Sequence, residues 1–228
     1  MTADGDFTVL SLTDSSFRAR RGKGNESRSA SQGNQVKSRI KLNHPLFDKL
    51  RRVDAEAANL FPSDGDRAFG ALGLTLMPKL ELNLHDWCTP LSCYAFATTG
   101  GNGVHFSFLA QENRIGEVSP IVVTNPGSGM GQSHVVGENL FDFLCLGAIR
   151  GFFALEQLQY NLDLTLEVFT NPNWLPTEDW HYAVGYSLND HSQRLLDFLN
   201  QQFRLHPWSD SGRFHQLQER YRLELPPN

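Results

Sequence analysis

The chain has 228 residues, of which 40% are hydrophobic and 16 are phenylalanine, so it can bury the core of one domain without disulfide support. Its three cysteines are an odd number in a long chain, which excludes a disulfide-rich scaffold and favours a reducing compartment. No apolar run approaches the roughly 18 residues of a membrane-spanning helix, and the first residues lack the features of a signal peptide. We therefore expect a cytoplasmic protein with no membrane contact.

Charge is divided unevenly along the chain. Residues 1–43 hold eight basic and four acidic residues, a net charge of +4, and the total of -5 therefore leaves -9 on residues 44–228. Residues 15–38 are polar with almost no large apolar side chains, so we predict that residues 1–43 form a flexible basic arm. This arm lacks the interleaved aromatic residues that stack on bases, so nucleic acid is not the partner that we expect. The acidic remainder favours basic partners.

A helix is predicted to begin at Pro45 and to end before Pro62. Its apolar residues recur at spacings of three and four: Leu46, Leu50, Val53, Ala57 and Leu60. The next segment, 63–73, reads as a turn, because its Asp-x-Asp lacks the other ligands of a calcium loop. Residues 74–84 alternate apolar and polar side chains, which predicts a strand interrupted at Pro78.

The strongest local signal is a β-hairpin between residues 94 and 109. Two runs rich in aromatic and β-branched residues are joined there by Gly100, Gly101, Asn102 and Gly103. We interpret Gly100, Gly101 and Gly103 as structural turn residues, because a residue without a Cβ atom adopts positive φ readily.

A further pair of strands is predicted at 119–125 and 134–136. The glycine-rich segment between them lacks the Gly-Lys-Ser/Thr of a phosphate-binding loop, and a strand follows it where such a loop needs a helix. We therefore predict a wide hairpin loop that binds no nucleotide.

Helical periodicity returns in the second half of the chain, interrupted by a rigid aromatic loop at 171–180. Four helices are predicted, over residues 138–146, 152–166, 190–203 and 213–221. Together these elements predict that residues 44–228 form a single α+β domain. Its mostly antiparallel open sheet of about five strands has helices packed before and after it.

Imidazole and thiol groups, which zinc selects, occur close together in the middle of the chain: His85, Cys88, Cys93 and His105. Their H-x2-C-x4-C spacing lacks the second half of a structural zinc site, so we predict no metal. A nucleophile at Cys93 or Cys145 would need an imidazole within hydrogen-bond reach. Burial among apolar neighbours is expected to raise the pKa of Cys145 and leave it inert. We predict no catalytic residue and no cofactor.

Three runs of residues carry a resemblance to a known family. They are Tyr-Ala-Phe-Ala-Thr-Thr-Gly-Gly-Asn-Gly-Val-His-Phe-Ser-Phe-Leu from residue 94, Ser-Pro-Ile-Val-Val-Thr-Asn from residue 119, and His-Val-Val-Gly-Glu-Asn-Leu-Phe-Asp-Phe-Leu from residue 134. This order of an aromatic hairpin, a Pro-Val-Val-like strand and a Phe-x-x-Phe-Leu-like helix resembles the core of the SUKH superfamily. On this resemblance the SUKH-like core spans about residues 74–150, and residues 151–228 form a helical C-terminal extension.

The resemblance implies a protein that acts by binding and catalyses no reaction. Members of the superfamily are regarded as bacterial immunity proteins that neutralise polymorphic toxins, or as regulatory adaptors. The charge of -9 on residues 44–228 is compatible with a basic toxin domain such as a nuclease. Acidic loop residues, Glu112 and Glu117, are then the candidate partner-binding residues.

Two alternatives stay open at this point. One is a small hydrolase of unknown substrate that uses Cys93 or His105 in a cleft. The other is a structural interaction module whose basic arm touches nucleic acid, and its binding would weaken steeply as the salt concentration rises.

Overall fold

The computed structural model describes residues 41–62, 67–85, 87–128, 132–174 and 188–225. Contacts divide the chain into residues 1–37 and 38–228, and every described residue belongs to the second unit. Some sequence predictions fall outside the described residues: the basic arm as far as residue 40, the Asp-x-Asp turn within 63–66, and the part of the aromatic loop from residue 175 onward.

The described residues form five α-helices and seven β-strands. The helices are α1 (Pro45–Leu60), α2 (Leu140–Leu146), α3 (Leu162–Thr170), α4 (Asp190–Phe203) and α5 (Gly212–Tyr221). The strands are β1 (Lys41–Leu42), β2 (Thr75–Leu82), β3 (Cys93–Thr98), β4 (His105–Leu109), β5 (Arg114–Ile115), β6 (Ile121–Asn125) and β7 (Gln132–Gly137). None of these helices is both long and apolar enough to cross a membrane.

Five strands form one open antiparallel sheet in the order β2-β3-β4-β6-β7. Strands β1 and β5 form a separate parallel pair, which joins the start of α1 to the loop that follows β4. One α-helix precedes the sheet and four follow it, so the predicted α+β class is confirmed.

Helix α1 has the bounds that its sequence predicts. It begins at Pro45, whose fixed φ suits a first turn, and it ends at Leu60, before Pro62. The side chain of His44 caps it, because the imidazole Nδ1 accepts a hydrogen bond of 3.2 Å from the backbone N–H of Phe47. Of the predicted apolar stripe, Leu50, Val53 and Ala57 are buried, whereas Leu46 is half-buried and Leu60 is exposed. Phe47, which the predicted stripe does not include, is buried as well.

The predicted hairpin consists of β3 and β4, and its tight connection depends on left-handed backbone conformations. Gly100 and Gly103 have φ of 90° and 72°, which favours glycine, and Asn102 between them has φ of 51°. Gly101 also lies in this turn, where its C=O accepts a hydrogen bond from the N–H of Val104, but its φ is not positive, so the conformational reason does not apply to it. Gly101 lies against the carboxylate of Glu156, and an added Cβ would be 3.5 Å from Oε1, an ordinary contact.

A cluster of phenylalanine rings fills the space between one face of the sheet and the helices. Phe106 and Phe108 are two residues apart on β4, so both side chains point to this face. Phe108 packs at 5.4 Å from the ring of Phe47 on α1, and Phe106 packs at 5.0 Å from that of Phe143 on α2. Rings at such separations add attraction beyond the hydrophobic burial of their surface, so this cluster fixes how both helices lie on the sheet.

The prediction of one helix over residues 152–166 is wrong. The chain forms a short 3-10 helix at Phe153–Gln157 and then begins α3 at Leu162. The break lies at Asn161, which has an extended backbone with φ of -152° and whose side chain accepts a hydrogen bond from the backbone N–H of Leu164. This arrangement caps a new helix. Apolar residues continue across the break at helical spacing, so periodicity alone does not reveal it.

Both edges of the sheet are unsuited to pairing with another strand. On β7, the side chain of Gln218 bonds both the N–H and the C=O of Val135. On β2, the register with β3 shifts between Leu76 and Glu81, which leaves a bulge around Pro78. Bulges, prolines and covered edges are the usual means by which proteins prevent edge-to-edge association.

Candidate partner-binding groove

Glu112 and Glu117, the acidic residues predicted from the sequence, lie at the end of the sheet where β4 leads into β6. Three cavities of about 440, 720 and 340 Å³ open there. The first two share Glu224 and the last two share Arg114, so the three are neighbours. We call this surface the groove. Among the residues that line it are Trp87, Leu91, Leu109, Ala110, Glu112, Arg114, Glu117, Val118, Glu224 and Leu225.

Glu112 is presented by a tight two-residue turn. The backbone groups of Gln111 and Arg114 exchange hydrogen bonds of 3.1 and 2.9 Å, and Glu112 and Asn113 between them have φ of 50° and 58°. Two central residues with positive φ form the turn geometry that favours Asn and Gly. Asn113 suits its position, whereas Glu112 carries a backbone conformation that its side chain disfavours.

Glu117 and Val118 are the central residues of the next turn. The backbone N–H of Ser119 donates to the C=O of Gly116 at 3.0 Å, and the Ser119 hydroxyl accepts from the N–H of Gly116, also at 3.0 Å. These two hydrogen bonds close the turn, in which the side chains of Glu117 and Val118 are exposed, that of Val118 to 75%. The Glu117 carboxylate lies near enough to the buried His44 to favour its charged form, although burial is the larger effect and lowers the pKa of His44.

The charged groups of the groove are not paired with one another. Among the described residues, Glu112, Glu117 and Glu224 form no ion pair and accept no side-chain hydrogen bond, and Arg114 is equally unpaired. Exposed carboxylates without partners are available to an incoming cation, and the groove has three of them against one arginine. Its electrostatic character is therefore acidic.

The first cavity is bounded by apolar side chains. Trp87 and Leu91, in the loop between β2 and β3, are 56% and 81% exposed, whereas Leu109 at the end of β4 is buried. Leu225, which follows α5, lines the same cavity. Large exposed apolar residues around a concave surface are characteristic of interaction sites.

The thiol and the imidazole of the hydrolase hypothesis do not form a dyad. Cys93 pairs with Leu109, and His105 lies four residues away along β4, which places the two about 13 Å apart along the strand direction. Burial, with a smaller contribution from Glu224, raises the pKa of the Cys93 thiol to about 12. Burial also raises the pKa of Cys145, as predicted. Neither thiol is therefore an activated nucleophile.

His105 is a buried structural residue. Its Nδ1 lies 2.9 Å from the carbonyl oxygen of Gly103 and its Nε2 lies 3.0 Å from the hydroxyl of Thr89. Burial lowers the pKa of this imidazole, so the ring is neutral near pH 7. Its ring centroid is 5.6 Å from that of His85, but no group of three or more His, Cys, Asp or Glu side chains in the described part of the chain is arranged to hold a metal.

No protein-family model, no curated protein and no solved structure matches this chain.

Sequence reasoning identified the two glutamates of the turns but missed other parts of the groove. Trp87 and Leu91 lie in a segment that reads as a turn, and an exposed tryptophan in a turn was a signal available in the sequence. Glu224 and Leu225 carried no such signal, because they reach the groove only through the packing of α5 against β7.

Proposed function

We propose that this chain is a non-catalytic protein-binding module that acts as an immunity protein, neutralising a basic toxin domain by binding it at the groove. The observation that carries the proposal is the set of three carboxylates, from Glu112, Glu117 and Glu224, which no described residue pairs, beside exposed apolar side chains. The net charge of -9 on residues 44–228 would steer a basic partner toward this surface. The choice of a toxin as the partner comes from the resemblance to the SUKH superfamily.

The backbone at Glu112 supports a role for this side chain beyond folding. A residue with a Cβ atom in the left-handed region is less stable by roughly 1–2 kcal/mol than in a right-handed conformation. Glu112 has φ of 50° in a turn where Gly or Asn would avoid most of this cost. Strain of this kind is concentrated at functional sites, so a glutamate at this position is consistent with selection for its carboxylate.

The test is whether the chain binds and neutralises a toxin produced beside it. If a large toxin gene adjoins the gene for this chain, the tagged toxin domain should retain the chain through purification, and co-expression should let cells survive the toxin. A double variant, Glu112→Gln with Glu117→Gln, should weaken the complex. The matched control, Glu56→Gln with Glu167→Gln, removes the same charge from exposed positions on α1 and α3. This control should leave the affinity of the complex unchanged.

Failure to protect cells from any neighbouring toxin would rule out the immunity role. If the double variant still protects cells as well as the unmodified chain does, the immunity role is supported, but the binding surface lies outside the groove.

A further inference from the structure

The groove has two chemically different halves, and their arrangement indicates what kind of segment a partner presents to it. This inference rests on the proposed function and concerns the chemistry recognised at the same site. The apolar half is the cavity of about 440 Å³ beside Trp87 and Leu91, and the acidic half is the cavity of about 720 Å³ beside Glu112. Ala110 and Glu224 line both cavities, so the two halves are neighbours.

The apolar half is suited to a large hydrophobic side chain. Its volume falls within the range of roughly 300–1,000 Å³ that holds small organic groups. Leu109 forms part of its wall and is fully packed, whereas Trp87 and Leu91 are more than half exposed and have apolar surface still to bury. Removing such apolar surface from water on binding is favourable.

The acidic half is suited to a cation. Glu112 and Glu224 line it, and Glu117 lines the neighbouring cavity, while Arg114 is the one basic residue among the described residues that line these three cavities. No described residue neutralises these carboxylates. A lysine or arginine side chain would be attracted by these carboxylates, whereas an acidic side chain would be repelled.

The edges of the sheet limit how a partner can bind. Gln218 occupies the free hydrogen-bonding groups of Val135 on β7, and the bulge around Pro78 distorts β2. A peptide strand added to the sheet needs a regular edge with free N–H and C=O groups. Recognition at the groove is therefore expected to depend on side chains.

We propose that the groove binds a segment of a basic protein that presents a lysine or arginine next to a large aliphatic or aromatic side chain. The cation lies among Glu112, Glu117 and Glu224, and the apolar side chain enters the cavity beside Trp87 and Leu91. Neither feature alone fills both halves, so the adjacent pair is the recognised unit.

The test uses four short synthetic peptides in a Gly-Ser background, whose central pairs are Lys-Leu, Lys-Ser, Glu-Leu and Ser-Ser. Each is titrated into the full chain labelled with ¹⁵N at its tryptophans, and the Trp87 indole signal, assigned with Trp87→Phe, reports binding. The Lys-Leu peptide should bind about tenfold more tightly than the other three, which corresponds to about 1.4 kcal/mol. Glu112→Gln with Glu117→Gln should abolish the advantage of Lys over Glu, and Leu91→Ser should abolish that of Leu over Ser.

Controls are Glu56→Gln with Glu167→Gln for charge and Tyr160→Ser, at a side chain 68% exposed outside the groove, for exposed apolar surface. Both should leave the peptide preferences unchanged. Equal binding of all four peptides, or no change in the Trp87 signal at millimolar concentrations, would overturn the proposal. Because these peptides contain no toxin, their failure is distinguishable from failure of the immunity role, which is decided by toxin co-purification and cell survival.

Discussion

The side-chain amide of Gln218 on α5 completes the backbone hydrogen bonding of Val135 on β7. Its Oε1 accepts from the Val135 N–H at 3.2 Å, and its Nε2 donates to the Val135 C=O at 2.7 Å. The amide thus takes the place that a peptide group of a sixth strand would occupy. This contact seals the outer edge of β7 and attaches α5 to the sheet, and it therefore also determines where Glu224 and Leu225 lie in the groove.

Replacing Gln218 with Leu should destabilise the domain and expose its edge. The N–H and C=O of Val135 would lose their partners, which costs about 1–3 kcal/mol when such groups stay buried. The free edge should also promote association between copies. Urea unfolding and light scattering at increasing protein concentration measure the two effects. Gln216→Leu, at an exposed position on the same helix, is the control, and equal behaviour of the two variants would contradict the prediction.

Replacing Glu112 with Asn should make the protein more stable while weakening its binding to a cationic partner. Asn adopts the left-handed conformation more readily than Glu, so the free energy of unfolding should rise by about 0.5–1 kcal/mol. Glu112→Gln separates the two effects, because it removes the charge and retains the unfavourable backbone. Stability is measured by urea unfolding, and binding by titration with the Lys-Leu peptide.

For binding, the Asn and Gln variants should be equally impaired, since both lack the carboxylate. If the Gln variant proves as stable as the Asn variant, the left-handed backbone at residue 112 is not the reason why glutamate lowers the stability there.

Replacing Gly147 with Ala should be destabilising, because a Cβ atom there would overlap the ring of Phe152. The ring is fully buried and sits 4.7 Å from that of Phe143, so it has little room to move. Overpacking of this kind costs about 1–3 kcal/mol. Thermal unfolding monitored by near-UV circular dichroism measures the loss. The control is Gly116→Ala, where an added Cβ meets no atom within 4 Å, and comparable losses in both variants would refute the packing argument.

Stability should decline as the pH falls below about 6.5, because burial lowers the pKa of three histidines, His44, His105 and His134. The unfolded chain takes up protons at the usual histidine pKa of 6.5, while the folded protein holds these rings neutral to lower pH. Their stabilising effect is therefore complete above pH 6.5 and is lost as the pH falls toward the folded-state values. Each ring contributes a slope of at most about 1.4 kcal/mol per pH unit.

Urea unfolding between about pH 8 and pH 5 tests this dependence. His134→Gln should flatten the slope. Burial raises the pKa of Asp54 from 3.8, and this has the opposite sign, since its effect on stability is lost as the pH rises. That window begins near pH 4. A stability that is constant from pH 8 to pH 5 would contradict the prediction.

The sequence by itself determined the elements whose signals are local. Helices α1, α4 and α5 and the β3–β4 hairpin follow from apolar periodicity, from Pro45 at a first turn and from glycines at positive φ, all of which act within a few residues. The break at Asn161 escaped detection, because an apolar stripe continues across it.

The groove was decided by the tertiary structure. Glu112 and Glu117 were identifiable as acidic loop residues, but the cavity that Glu112 shares with Glu224 depends on contacts between segments far apart in the chain. Likewise, no pattern in the sequence relates Gln218 to Val135, which are 83 residues apart. Local propensities act over a turn of helix or a hairpin, whereas a binding surface is assembled by the burial of apolar faces against one another, and its residues meet only when that packing is complete.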